Sequence, residues 1–155
     1  MASAIDVARN LIHLAAAEDE PDFLTHLRLQ KLLYYAQGWS LAMRDQAIFE
    51  EPIEAWAHGP VVRSVYPVFA SYGNTPINPA DIPPAENIGL DESEFLSSLW
   101  ESYKAYSASS LREMAHRERP WLDARGNCGP TDNCDTEITK EAMKEFFTEL
   151  TAASR

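Results

Sequence analysis

The stretch LRLQKLLYYAQGWSLA, Leu27 to Ala42, constrains the fold more than any other part of the chain. Leu29, Leu32, Leu33, Ala36 and Met43 recur at the helical period, and Tyr34, Tyr35, Trp39 and Leu41 spread apolar surface almost all round. A helix that is apolar on most faces belongs at the centre of a domain. The spacing predicts a helix over about 25–44, capped by Thr25, as the spine of the protein. Gly38 within it costs about 1 kcal/mol relative to alanine. A neighbouring helix crossing closely at Gly38 would explain its presence.

The remaining elements are expected to pack on that spine. Ser3 with Asp6 opens a first helix, whose apolar face is Ile5, Ala8, Leu11, Ile12 and Ala15. Ala47-Ile48-Phe49 and Ile53-Glu54-Ala55-Trp56 have strand character, which predicts a small β-hairpin near 47–57. Gly59-Pro60 should end it, with Pro60 in the first turn of a new helix that splits near Ser64 because of Pro67. Four prolines between Thr75 and Leu90 predict an extended loop. Asp91 with Glu94 then marks a helix start, and Ser110 with Glu113 fits a capping box before Met114–Arg117. Pro120-Trp121 begins a turn ending near Arg125-Gly126, and Thr139 caps a last helix with Ile138 and Met143 as a staple. The fold class expected is mainly α: one helical bundle, a single domain over 1–155, with a minor hairpin.

Charge narrows the function. Thirteen basic residues stand against 24 acidic ones, a net charge of −11. General binding to a phosphate backbone needs an excess of Lys and Arg, so nucleic acid is disfavoured. The local basic candidates are Arg112, His116, Arg117, Arg119 and Arg125. The N-terminus has no basic and apolar regions of a signal peptide, and no apolar run approaches a membrane span of about 18 residues, so a soluble cytoplasmic protein is expected. Cys128 and Cys134 then read as two free thiols in a loop, since zinc wants four ligands and only His116 suggests a third.

Catalytic patterns are missing. Among the motifs sought are a phosphate-binding Gly-rich loop, a dinucleotide fingerprint, His-Glu-x-x-His and Gly-x-Ser-x-Gly, and none occurs. Ser107, Ser109 and Ser110 read as capping residues. His58, before the Gly59-Pro60 turn, and His116, at a helix end, could form an imidazole pair in a small enzyme, but structural hydrogen bonding is the commoner role. Trp56 and Trp121 lie beside turns, where they could serve either a core or a contact surface.

Three blocks resemble the Panacea-domain family of antitoxins, also described as SocA-like or phage-associated proteins. They are LRLQKLLYYAQGWSLA, EPIEAWAHGPVVRSVYPVFASYG (Glu51 to Gly73) and YSASSLREMAHRERPWLDAR (Tyr106 to Arg125). The resemblance covers about Ile5 to Arg125 and departs from a minimal domain in the acidic segment after the first helix and in the Cys128–Cys134 loop. It implies a compact helical domain with a small β element, no catalytic activity, no cofactor and no metal. It further implies a cognate toxin, often in mobile or prophage DNA, neutralised by direct binding or by delivery to an ATP-dependent protease. The surface expected to meet the partner joins the 56–63 turn to the 116–125 segment: Trp56, His58, Gly59, Pro60, Arg63, Tyr66, His116, Pro120, Trp121 and Arg125. The alternatives are an enzyme using His58 and His116, or an interaction protein with no toxin. The tail Thr151–Arg155 is expected to be free.

Overall fold

Thr25 starts the central helix. Its hydroxyl accepts the Arg28 amide at 3.3 Å, and α2 runs from His26 to Arg44, ending where Asp45 turns left-handed. The structure is a computed structural model that describes residues 2–129 and 131–153. In chain order the other elements are α1 (Ala4–Ala16), β1 (Ile53–Trp56), β2 (Gly59–Val62), α3 (Tyr66–Phe69), α4 (Leu90–Tyr103), α5 (Ala108–His116), α6 (Arg119–Arg125), β3 (Glu137–Ile138) and α7 (Lys140–Ala153). The protein is thus mainly helical, with one small antiparallel sheet ordered β2-β1-β3.

α2 packs against α1, α4, α5, α7 and β2. Its apolar side is sealed by α7: the fully buried Phe147 ring lies over Gly38 and meets Tyr34, Tyr35 and Trp39 edge-on at 5.0–5.9 Å. A Cβ at Gly38 would overlap that ring, so the glycine is there for close approach, as its position in the sequence suggests. The tyrosine hydroxyls are not left bare. Both donate to the half-buried Glu118, Tyr34 at 3.0 Å and Tyr35 at 3.2 Å. Burial raises the Glu118 carboxyl to about 7, against the lowering pull of those two hydrogen bonds.

Several local expectations need correction. Ala47–Phe49 is not a strand; the segment is held as a loop by Gln37, whose amide donates to Phe49 O at 2.7 Å and accepts from Ile48 N at 2.9 Å. The hairpin instead pairs β1 with β2 across Ala57-His58, with Trp56 opposite Gly59 and Ile53 opposite Val62. Gly59-Pro60 therefore begins a strand rather than ending one. β2 is an edge strand, where a proline without N–H can be accommodated. The next helix starts only at Tyr66, with Pro67 in its first turn. α5 is capped by Ser107, three residues before the expected Ser110, and α4 begins at Leu90 after Gly89. Ile138 pairs with Ile53 in β3 while also preceding the Thr139 cap of α7. Thr151–Ala153 continue α7 rather than forming a free tail, and Ser154 and Arg155 lie outside the described residues. Glu18 of the acidic segment is committed to the fold, accepting from Trp100 Nε1 at 2.6 Å. No helix among the described residues is long and apolar enough to cross a membrane.

Candidate functional site

Three parts of the chain converge on the hairpin. From α2, Gln30 accepts the Val62 amide at 2.8 Å, and the Lys31 ammonium donates to Pro60 O at 3.1 Å. Gly59 sits directly above the Lys31 stem: it has a φ of 112°, and a Cβ there would come within 2.7 Å of Lys31 Cε. Only glycine satisfies both demands. Lys31 is fully buried, and burial, with the nearby Arg112 charge adding, lowers it to about 7.

From the other side, α5 and α6 take three successive backbone carbonyls. Arg125 Nη1 donates to Ala55 O at 3.1 Å, Trp121 Nε1 to Trp56 O at 2.8 Å, and His116 Nε2 to Ala57 O at 3.0 Å. The three side chains also stack, with His116 4.3 Å from the Trp121 ring and the Arg125 guanidinium 5.3 Å from it. Burial holds His116 below the usual imidazole range, and the neighbouring Arg112 charge lowers it further. These are structural bonds. One ring nitrogen of His116, Nε2, is engaged with the backbone.

The ten residues expected at a contact surface therefore divide. Gly59, Pro60, Pro120, Trp121 and Arg125 are buried, and Trp121 and Arg125 hold the hairpin in place. His116 is half-buried. Facing outward are His58 at the turn, Arg63, Tyr66 and the half-buried Trp56. Trp56 lies between Tyr66 (ring centroids 5.0 Å) and the Arg63 guanidinium (5.8 Å). Glu54 fixes the group, accepting from Trp56 Nε1 at 2.9 Å and from Arg63 Nε at 3.0 Å. Such a rigid aromatic–arginine patch has the composition of a protein-contact hot spot.

A cavity of about 510 Å³ opens beside this patch, between the hairpin turn, α5 and the cysteine loop. The loop itself overturns the free-thiol expectation: Cys128 and Cys134 are joined in a disulfide, which leaves neither sulfur to ligate a metal. The physical reason lies outside the local spacing. Arg125 reaches past its helix end to Gly129 O and, at 3.2 Å, to Asp132 O, folding the loop back until the two Cα atoms are 6.4 Å apart. That separation is within disulfide reach. No cluster of three or more His, Cys, Asp or Glu that could hold a metal occurs among the described residues. A second depression, of about 400 Å³ and more apolar, lies between α2, α4 and α5, with Trp39, Met43, Phe95 and Tyr106 in its lining.

The model of the family described as Antitoxin SocA-like, Panacea domain matches residues 29–122, more than half of the chain. The chain belongs to this family. Its matched region holds every α2, hairpin, α5 and α6 side chain named above except Arg125. A stretch of 67 residues is 42% identical to Antitoxin SocA of Caulobacter vibrioides (strain NA1000 / CB15N), covering 43% of this chain and 35% of that relative. The match thus spans about a third of the curated relative's length. No solved structure matches. Seen together, the three sequence blocks of this Panacea-family chain have one physical meaning: the first and third blocks bind the backbone of the second and set the hairpin.

Proposed function

We propose that this chain is the antitoxin of a toxin–antitoxin pair and that it neutralises its toxin by direct binding, without catalysis. Membership of the Antitoxin SocA-like family carries the reading. The geometry supports it, because His116, one of the two histidines of the enzyme alternative, is bonded to the hairpin backbone at Ala57 O, while His58, Arg63 and Tyr66 face outward. Trp56, His58, Arg63 and Tyr66 are the hairpin-end residues we assign to the toxin contact. The net charge of −11 favours a basic protein partner over nucleic acid and would speed encounter with it. We place the protein in the cytoplasm and treat 1–155 as one domain.

The test is co-expression with each product of the flanking genes, scored by growth and by co-purification. Rescue of a toxic neighbour in a stable complex is the expected result; absence of any toxic or binding neighbour would overturn the reading. Arg63→Ala with Tyr66→Ala should abolish rescue while the chain stays folded. If Met43→Ala with Tyr106→Ala abolishes it instead, the contact lies in the apolar depression. Delivery to an ATP-dependent protease is separated from masking by the toxin's half-life, which masking leaves unchanged or lengthens and delivery shortens.

A further inference from the structure

The cavity beside the hairpin turn differs in charge from the rest of this acidic molecule. Its lining includes Trp56, His58, Arg63, Arg112, Asn133 and Asp135. Arg63 is neutralised on its own side of the cavity by Glu54 at 3.0 Å and Asp135 at 3.6 Å. Arg112, on α5, is not: no carboxylate among the described residues lies within ion-pair distance of it. Behind Arg112 stand further basic groups. Beyond the effect of burial, its charge lowers both Lys31 and His116, and Lys31 and His58 lower His116 again. Arg112, His58 and Arg63 therefore line one cavity together with a single carboxylate, Asp135, which is paired with Arg63. Arg112 is thus a cavity-lining cation with no carboxylate partner among the described residues, and an anion placed against it would supply one.

We infer that this cavity binds an organic phosphate, with its oxyanion on the Arg112 guanidinium and His58, and Asn133 as a neutral donor. A guanidinium offers a planar fork of donors that matches phosphate geometry. The volume exceeds what a bare oxyanion needs and lies in the range of small-molecule sites, which leaves room for the organic part. The Cys128–Cys134 bridge contributes a wall, since Cys134 lines the cavity and the loop supplies Asn133 and Asp135. This inference goes beyond the antitoxin reading and does not depend on it.

The experiment uses the full chain alone, without toxin. Inorganic phosphate, pyrophosphate and AMP are titrated in turn while the ring signals of His58 and His116 are followed by NMR. Saturable shifts of both rings are expected, together with a rise in the pH at which His116 titrates, and tighter binding of AMP than of phosphate. Arg112→Ala should weaken binding about tenfold or more, the loss of one charge-assisted hydrogen bond. Asp135→Asn should strengthen it about two- to threefold, the scale of an exposed charge. Arg112→Gln serves the same purpose if the alanine variant does not fold. Unshifted rings with all three probes, or unchanged affinity in a folded Arg112 variant, would overturn the proposal; the cluster would then read as a dock for an acidic side chain of a protein partner. Because no toxin is present, failure here leaves the antitoxin reading untouched, and failure of rescue leaves this one untouched.

Discussion

The two sides of α2 are held by different forces. Toward α7 the contact is carbon on carbon: the Phe147 ring on Gly38, with Tyr34, Tyr35 and Trp39 around it. Toward the hairpin it is polar: Gln30 and Lys31 bond to strand backbone, and Gln37, seven residues after Gln30, does the same for the loop before β1. Apolar burial is strong but non-directional, so it fixes that α7 lies against α2. Buried hydrogen bonds are modest in net energy but costly to leave unmade, so they fix where the hairpin sits and in which register. The site grows on the polar side, where position matters more than adhesion.

The contrast can be broken most forcefully on the carbon side. Phe147→Ala should cost about 3–5 kcal/mol by opening a cavity over Gly38. Denaturant unfolding would measure it, and a loss under 1 kcal/mol would mean α7 is not the seal it looks to be. On the polar side, Gln30→Leu keeps the volume but strands the Val62 amide, and should cost about 1–3 kcal/mol. Hydrogen exchange at the Val62 amide should quicken more than exchange within α7, since the damage is local to the hairpin.

A smaller effect is expected at the cysteine loop. Its short span limits what the bridge contributes by constraining the unfolded chain to about 2 kcal/mol. Reduction, or Cys128→Ser with Cys134→Ser, should leave a folded protein with a lowered Tm, as the proposed cytoplasmic placement requires. A reduced chain that unfolds outright would contradict that placement.

The smallest effect at neutral pH, and the most diagnostic, belongs to Lys31. Its folded value of about 7 lies below the ordinary 10.5, so the unfolded chain binds the extra proton between these two values. Stability should therefore rise with pH across about 7 to 10.5 and level off below about 7, where both states hold the proton. Lys31→Met should remove that slope and change neutral stability little, because it removes a buried amine while keeping the shape. A persisting slope in the variant would assign the alkaline dependence elsewhere.

How much of this was legible in advance follows the same division. The spine, its Thr25 cap, the Ser3–Asp6 capping box and the crossing at Gly38 are written in local pattern, because helix periodicity and caps are short-range signals. The pairing of the hairpin is not legible: strand character suggests Ala47–Phe49 against Ile53–Trp56, whereas Ile53–Trp56 pairs with Gly59–Val62. Pro60 suits a helix start and an edge strand equally well, and only the neighbour in space decides between them. β3 has two residues and no periodic signature at all. In the expected contact surface, His58, Arg63 and Tyr66 face outward, whereas Trp121 and Arg125 are buried on carbonyls that no sequence spacing reveals. Gln30, Lys31 and Gln37 carry no functional signal in the sequence, because they sit on a helix whose apolar pattern hides them, and Arg112 separates from the other local basic candidates only once Glu54 and Asp135 are seen to be taken by Arg63.

By itself, then, the sequence determined a mainly helical protein around one central helix, an acidic surface and the family to which three motif blocks point. Those properties depend on residue type and on spacing within a few turns of chain. Tertiary structure alone decided the hairpin register, the Cys128–Cys134 bridge and which family residues face solvent. The hairpin register and the burial of Trp121 and Arg125 depend on a backbone carbonyl or amide meeting a side chain 29 to 70 positions away, and the bridge depends on Arg125 folding its own loop onto Gly129 O and Asp132 O; backbone groups are the same at every position in a sequence.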